Sequence, residues 1–572
     1  MKSLKKLLKN PLAISIAVAL VFLALRLPGL GQPYYQDEWK NVSASATVAG
    51  AGTFFAHPPL MQITFVADHA IFGEDYFRVL PLLFSLASLI LLFLVVRRRF
   101  GQTVAIWSAV LYSVCFYNVL AALQPDVDGA ILPFLFLLAV YAYDKCVYDK
   151  RWRSLLILAL LAGLLIKLSF VLVIGAIILD YLWDNRQNGL IKKTAISAGV
   201  LALFGAAYVA LLFLFQDLYP AFSISFMLGH ANQFAGAGGR NWTQIAVQAI
   251  KAVFYLSPLL IAPLVWLSRE TIKRTRVFWL YLALGFVFYF VLFDFSQGAL
   301  DKYLMFAIVP LAIMAGAIFS EAAPERVPPV KSLRIGNFFA TLSGWRRKAV
   351  LSLAGLIFAA ALLVLNWLPQ TVAALYPKSE WFGRVLHGHW NVLTPITGGS
   401  GPMGFYISFL FIAASFLVTI AIAAMVRVLP AEKRKAWLVP ATLVIVLVGL
   451  SYNLVFAEEY LFGGLYGSSP QILSQAISFI AKDPKITQVI SYNDIGNREL
   501  SALGKYAGRF YAAPQFEAGH EVKFANFAGY YMIVDIPHIY DNGFYGKFFA
   551  SCKPVWSASS GRIDGKVYDC SH

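Results

Sequence analysis

The sequence predicts a polytopic α-helical membrane protein with about 13 transmembrane helices and a small C-terminal extracytoplasmic α/β domain. Three observations predict it. Hydrophobic residues make up 59% of the 572 positions and charged residues 13%, with a mean hydropathy of +0.67, whereas a soluble chain carries about a quarter of its residues charged. The apolar residues gather into runs of about 20, enough to cross roughly 30 Å of hydrocarbon as a helix. Basic residues alternate between successive loops as the positive-inside rule requires. Lipid offers the backbone no hydrogen-bond partner, so such runs must be helical.

Taken in order, the first run is Pro11–Leu30. Lysines precede it, as in a signal peptide, but Leu25-Arg26-Leu27-Pro28-Gly29-Leu30 is a poor small-residue cleavage site, so the run reads as an uncleaved helix. Next come Val79–Val96, Thr103–Val119, Gly129–Tyr143, Ser154–Leu168 and Phe170–Trp183, the last two divided at Lys167. Thr194–Phe215, Val247–Leu267, Val277–Phe295, Tyr303–Phe319, Ala349–Leu368, Gly404–Val426 and Trp437–Phe456 complete the series.

With the N-terminus cytoplasmic, inside loops hold roughly 28 basic residues, Arg97-Arg98-Arg99 among them, against roughly 7 outside. The net charge of +17 therefore reports topology and contact with anionic membrane lipids, not nucleic acid. This threading divides the chain into a transmembrane domain, residues 1–457, and an exported α/β domain, residues 458–572. In the tail, Gln471–Ala481 and Arg498–Tyr506 are helix-like, and Thr487–Tyr492 and Tyr530–Ile536 strand-like. Cys552 and Cys570 flank an apparent β-ribbon there and are a disulfide candidate, while Cys115 and Cys146 lie in or near spans. The first outside loop runs from Gly31 to Arg78, and further ones are Gln216–Ala246, whose Gly236-Ala237-Gly238-Gly239 suggests a lid, and Pro369–Met403.

Residues able to carry chemistry collect on the predicted outer face. Asp37-Glu38 follow the first span among Tyr34, Tyr35 and Trp39; a carboxylate in such a partly desolvated setting has a raised pKa and suits a general base. A solvated loop acid pair explains them as well. His57 is held by Pro58-Pro59 in the same loop, a rigid position for a ligand contact or an ordinary loop histidine. Asp126 and Asp128, in Gln124-Pro125-Asp126-Val127-Asp128, could bind a divalent metal with Asp37, position an acceptor, or cap a helix. Arg78 and Lys302, beside Tyr303, are basic residues outside; they suit a lipid phosphate or simple snorkelling. Lys167 lies within the apolar region, where it needs a cavity or the interface.

Three stretches together resemble GT-C-type glycosyltransferases of the protein-mannosyltransferase group, which includes bacterial enzymes that add aminoarabinose to lipid A. They are Asp37-Glu38 after the first span; His57-Pro58-Pro59-Leu60 with Phe77-Arg78-Val79-Leu80-Pro81 and the helix closing on Arg97-Arg98-Arg99-Phe100-Gly101; and Ala162-Gly163-Leu164-Leu165-Ile166-Lys167, followed by Lys302-Tyr303-Leu304 and Pro310. The resemblance covers roughly the first 320 residues. The resemblance implies a sugar donor on a polyprenyl phosphate and an acceptor hydroxyl on a protein, lipid or polysaccharide. It implies Asp37 as the base, Glu38 orienting the acceptor, and Arg78 and Lys302 neutralising the leaving phosphate. It places His57, Asp126, Asp128 and Tyr303 around the substrates. Lys302 stands where relatives carry arginine, and a divalent metal is allowed but not demanded. A lipid-linked sugar transporter or a membrane scaffold are the competing classes; the first requires broken helices or repeated halves.

Overall fold

The computed structural model describes residues 11–34, 36–46, 58–146, 148–185, 190–215, 242–292, 301–322, 344–372, 383–396, 404–492, 495–510, 527–534 and 543–571. The apolar runs become helices in the predicted order. α1 (Pro11–Ala24) is followed by α2 (Gln36–Ala44) and α3 (Pro59–Phe72), two helices inside the stretch read as a loop. α3 starts on a proline, whose missing N–H costs nothing in a first turn, and stops at Gly73 with φ 70°. Then come α4 (Val79–Phe100), α5 (Gln102–Val114), α6 (Phe116–Leu123), α7 (Ile131–Cys146), α8 (Trp152–Ile166), α9 (Val171–Asp184) and α10 (Leu190–Phe215). The second half holds α11 (Trp242–Ile261), α12 (Arg269–Arg274), α13 (Arg276–Phe286), which continues as a π-helix to Leu292, and α14 (Ile308–Ala322), entered through a 3-10 segment, Asp301–Ala307. It closes with α15 (Gly344–Val364), a small sheet of β1 (Thr371–Val372), β2 (Val392–Ile396) and β3 (Phe405–Ser408), then α16 (Phe409–Val428) and α17 (Ala431–Phe462).

The chain is a multi-pass membrane protein. Among the described residues seven helices are long and apolar enough to cross a membrane, or eight if the bent pair α5–α6 counts as one. Others, such as α8, are shorter apolar helices. Each apolar run of the sequence thus carries a helix, but by length the described residues supply fewer full crossings than the roughly 13 expected. Close packing uses small residues, as membrane bundles require: a Cβ on Gly316 of α14 would collide with Ser108 of α5.

Two breaks matter for the site. Thr103–Val119 reads as one span but is interrupted at Cys115 (φ −61°, ψ 120°), so α6 leaves α5 at 65°. The Phe116 N–H freed there donates to Asn453 Oδ1 of α17 at 2.6 Å, and Asn453 Nδ2 donates to Ser257 Oγ at 3.0 Å. Ser257 is itself a break in α11, with φ 66° ahead of Pro258. The division expected at Lys167 is present: α8 ends at Ile166, Lys167 is extended (φ −158°, ψ 135°), and a 3-10 turn leads into α9.

The tail forms the small sheet domain. α17 runs past residue 457 to Phe462 and ends at Gly463 in the left-handed conformation. Glu459 then accepts the N–H groups of Leu465 (2.8 Å) and Tyr466 (2.9 Å), fixing the exit of the chain. α18 (Ser469–Lys482), β4 (Val489–Tyr492), α19 (Asn497–Ala502), β5 (Tyr506–Phe510), β6 (Tyr530–Val534), α20 (Gly543–Ser551), β7 (Lys553–Ser560) and β8 (Ile563–Asp569) follow. The sheet order is β5-β4-β6-β8-β7, parallel where β4 meets β5 and β6, antiparallel elsewhere. Ile472, Leu473, Ala476 and Ile480 of α18 pack on it with Val489, Met532 and Val567, in a core that also takes in Leu393 of β2 and Tyr406 of β3. Cys552 and Cys570 are joined as a disulfide across the open end of the β7–β8 hairpin.

Candidate functional site

α2, α6 and the start of α4 meet at one end of the bundle. Arg78 caps α4 and is fully buried, and its five N–H donors are all engaged. Nε donates to Gln32 O (3.3 Å), Nη1 to Glu38 Oε1 (3.2 Å) and to Leu123 O, and Nη2 to Pro33 O and Glu38 Oε2 (both 2.7 Å). The planar fork of arginine suits this cage, since a lysine has too few donors to fill it. The structure thus turns Arg78 and its buried partner Glu38 inward as a brace between α2, α4 and α6. No N–H of Arg78 is left over for the leaving phosphate expected from the sequence. Asn41, one turn beyond Asp37 in α2, donates to Pro125 O at 2.6 Å, which ties α2 to the acidic loop after α6. The backbone of Asp37 lies in α2; its side chain, His57 and the glycine-rich lid segment fall outside the described part of the structure.

The re-aimed helix α6 delivers Asp126 and Asp128 to two different lysines. Lys302 Nζ lies 3.1 Å from Asp126 Oδ2, and Lys167 Nζ 2.5 Å from Asp128 Oδ2. Both ammonium groups sit on the face of Tyr303, 4.6 Å (Lys167) and 5.4 Å (Lys302) from its ring centroid. Tyr303 in turn stacks on Tyr289, at 5.8 Å. Burial pushes the Asp128 carboxyl above its usual range; Lys167 opposes that shift and Asp126 adds to it. A small pocket beside the cluster is lined by Asp128, Ser169, Tyr281, Tyr289, Tyr303 and Phe306.

Sequence reasoning brought Asp126, Asp128, Lys302 and Tyr303 to one surface, and the structure brings these together. It adds Lys167, whose signal was a charge inside an apolar run, and Tyr289, which had no signal. Two ammonium groups held by carboxylates over aromatic rings present strong donors to an anionic oxygen. Among the described residues no group of three or more histidine, cysteine, aspartate or glutamate side chains is placed to hold a metal ion.

Over this end lies the tail domain. Arg498 of α19 pairs with Asp75 and, at 3.9 Å, Glu74, and lies 5.7 Å from the Tyr34 ring centroid. Arg78 lies 4.9 Å from the centroid of the same ring, and the Tyr34 hydroxyl donates to Glu74 O at 2.5 Å. Tyr34 thus sits at the joint between the helices and the tail domain.

Residues 56–212 match the family model described as dolichyl-phosphate-mannose-protein mannosyltransferase. No curated protein matches the chain by sequence. Two solved structures of ArnT from Cupriavidus metallidurans share its architecture over 97% of each chain. The apo form has a TM-score of 0.53 at 18% identity, and the form bound to undecaprenyl phosphate 0.56 at 16%. By fold, therefore, the chain is a GT-C-type membrane protein, with a segment similar to the protein mannosyltransferases.

Proposed function

We propose that the chain is an inverting integral-membrane glycosyltransferase, moving a hexosyl or pentosyl group from a polyprenyl-phosphate donor to an acceptor hydroxyl on the extracytoplasmic face. The observation that carries this is the lysine pair, Lys167 and Lys302, presented over Tyr303 by Asp128 and Asp126. It gains weight from a fold shared along the whole chain with a protein bound to undecaprenyl phosphate. In this reading the acceptor oxygen attacks the anomeric carbon and the bond from that carbon to the phosphate oxygen breaks. The leaving phosphate keeps the electron pair, and the acceptor proton passes to Asp37. The lysines stabilise the charge that grows on the phosphate, where a preorganised donor is worth most. The acceptor is a protein, a glycolipid or a polysaccharide.

Transfer of labelled sugar from polyprenyl-phosphate donors by the purified chain tests the proposal. Asp37→Asn should lower transfer about 100-fold or more, and equal transfer by both forms removes Asp37 from the role of base. The two broken helices and half-buried Lys167 also suit a transporter of lipid-linked sugars. Translocation of the donor across vesicles without transfer to any acceptor would select that reading instead.

A further inference from the structure

At the opposite end of the bundle the structure opens a cleft of about 990 Å³. Four helices join it to the acid–lysine cluster. α4 runs from Arg78 to Phe100, α7 from just after Asp128 to beyond Asp144, and α9 from just after Lys167 to Asp184; α13 and its π-helical extension run back from Arg276 to Tyr289 and beyond. The 22 residues of α4 measure roughly 33 Å, so cleft and site lie about a bilayer core apart.

Three ion pairs made by two arginines brace the cleft walls. Arg99 binds Asp144 through Nε (2.6 Å) and Nη2 (2.5 Å), and Arg276 binds Asp180 (2.7 Å) and Asp184 (2.6 Å). Four further cations line the same space, Arg98, Lys145, Lys273 and Arg274, and among the described residues none has a carboxylate within 4.0 Å. Three of them rest on aromatic faces. Arg98 lies 4.8 Å from the Tyr148 centroid, Lys145 5.6 Å from both Tyr141 and Trp152, and Arg274 5.8 Å from Phe100. A ring face holds a cation without consuming its N–H donors, so these groups are placed yet leave donors for an anion. The lining holds six cations to four carboxylates, Asp144, Asp149, Asp180 and Asp184, so positive charge is in excess, and an anion between the cations offsets their repulsion.

We propose that this cleft is a binding site for a phosphate group, carried by an anionic lipid headgroup or free in solution. Arginine forks match phosphate oxygens two at a time. Tyr148 and Trp152 belong to the residue types that settle at the membrane–water interface, where a headgroup phosphate lies. The site is separate from the acid–lysine cluster and does not depend on the transfer activity.

The test uses the purified full chain in detergent, with native mass spectrometry to count bound ligand. The probes are short-chain phosphatidylglycerol, short-chain phosphatidylcholine and inorganic phosphate. Wild type should bind phosphatidylglycerol at least tenfold more tightly than phosphatidylcholine, or bind inorganic phosphate. Arg98→Gln/Arg274→Gln should weaken whichever binding is seen at least fivefold, with an unchanged melting temperature. Phosphatidylglycerol binding that inorganic phosphate does not displace assigns a lipid headgroup; displacement assigns the free ion. If that variant melts early, Lys145→Gln/Lys273→Gln, at side chains outside the bracing pairs, reads the same effect. Equal binding by wild type and folded variants, or no preference for phosphatidylglycerol together with no phosphate binding, overturns the proposal.

Discussion

Replacing Glu38 by glutamine tests whether the bundle end depends on a buried charge pair. Arg78 and Glu38 are 0% and 1% exposed, with 2.7 Å between Nη2 and Oε2. With charge centres about 4 Å apart and an effective dielectric near 20, their attraction is about 4 kcal/mol. Glutamine keeps the size and one acceptor oxygen but leaves the guanidinium uncompensated. Breaking such a pair from one side costs about 3–5 kcal/mol. The Arg498–Asp75 pair supplies an internal comparison, because Asp75 is 72% exposed and Arg498 29%. An exposed pair of that kind is worth about 0–1 kcal/mol, so Asp75→Asn should cost less than 1. Both arginines approach the Tyr34 ring, so the same preparation reads both changes. The assay is equilibrium unfolding in mixed micelles, followed by tryptophan fluorescence. Adding Arg78→Met to Glu38→Gln removes the orphaned charge but strands the carbonyls of Gln32, Pro33 and Leu123, so the double variant should not regain wild-type stability. A Glu38→Gln cost below about 1 kcal/mol, or full wild-type stability in the double variant, refutes the brace.

Three other outcomes are expected. Asp68, in α3 outside the spans, is buried with both carboxylate oxygens unpartnered, and burial pushes its pKa up to about 8 from 3.8. Its folded-state pKa is raised, so the stability tied to its proton is complete below about pH 4 and lost as pH rises through about 8. Asp68→Asn should therefore gain about 1–3 kcal/mol over wild type at pH 8.5 and much less at pH 5; a gap that does not change with pH is the contrary result. Asn453→Ala strands the Phe116 N–H and should cost about 1–3 kcal/mol in the same unfolding assay, while a cost under about 0.5 would show that the break at Cys115 holds without it. Cys552→Ser/Cys570→Ser opens a link of sequence separation 18 and should destabilise the tail domain by about 3 kcal/mol, read as an earlier unfolding of that domain with the helices unchanged.

Much of the architecture was legible because lipid enforces a simple code. Apolar run length gave the helices, and Lys167 marked the division between α8 and α9 since a charge there needs an exit from hydrocarbon. The tail was legible through periodicity: α18, β4 and β6 stand close to where Gln471–Ala481, Thr487–Tyr492 and Tyr530–Ile536 predicted. The bend at Cys115 was not, because no glycine or proline announces it. Its freed N–H is satisfied by a side chain 337 positions away, and local sequence holds no trace of that partner. The same distance explains Arg78: a basic residue outside reads as a phosphate ligand until the carbonyls of Gln32, Pro33 and Leu123 surround it. For Asp126 and Asp128 the spacing was visible, but not that each turns to its own lysine.

Two of the contacts that fix the tail domain are of opposite character, and salt tells them apart. Glu459, 2% exposed, grips Leu465 and Tyr466 in a setting that mobile ions do not reach. Arg498 meets Asp75 and Glu74 in the open, where at 1 M ionic strength the screening length shrinks to about 3 Å. Concentrated salt therefore unfastens the outer joint and leaves the inner one closed. The domain then stays held on its buried side, where Tyr466 donates to Asn366 O and Ser469 to Gly404 O, and loses only the exposed contact beside Tyr34.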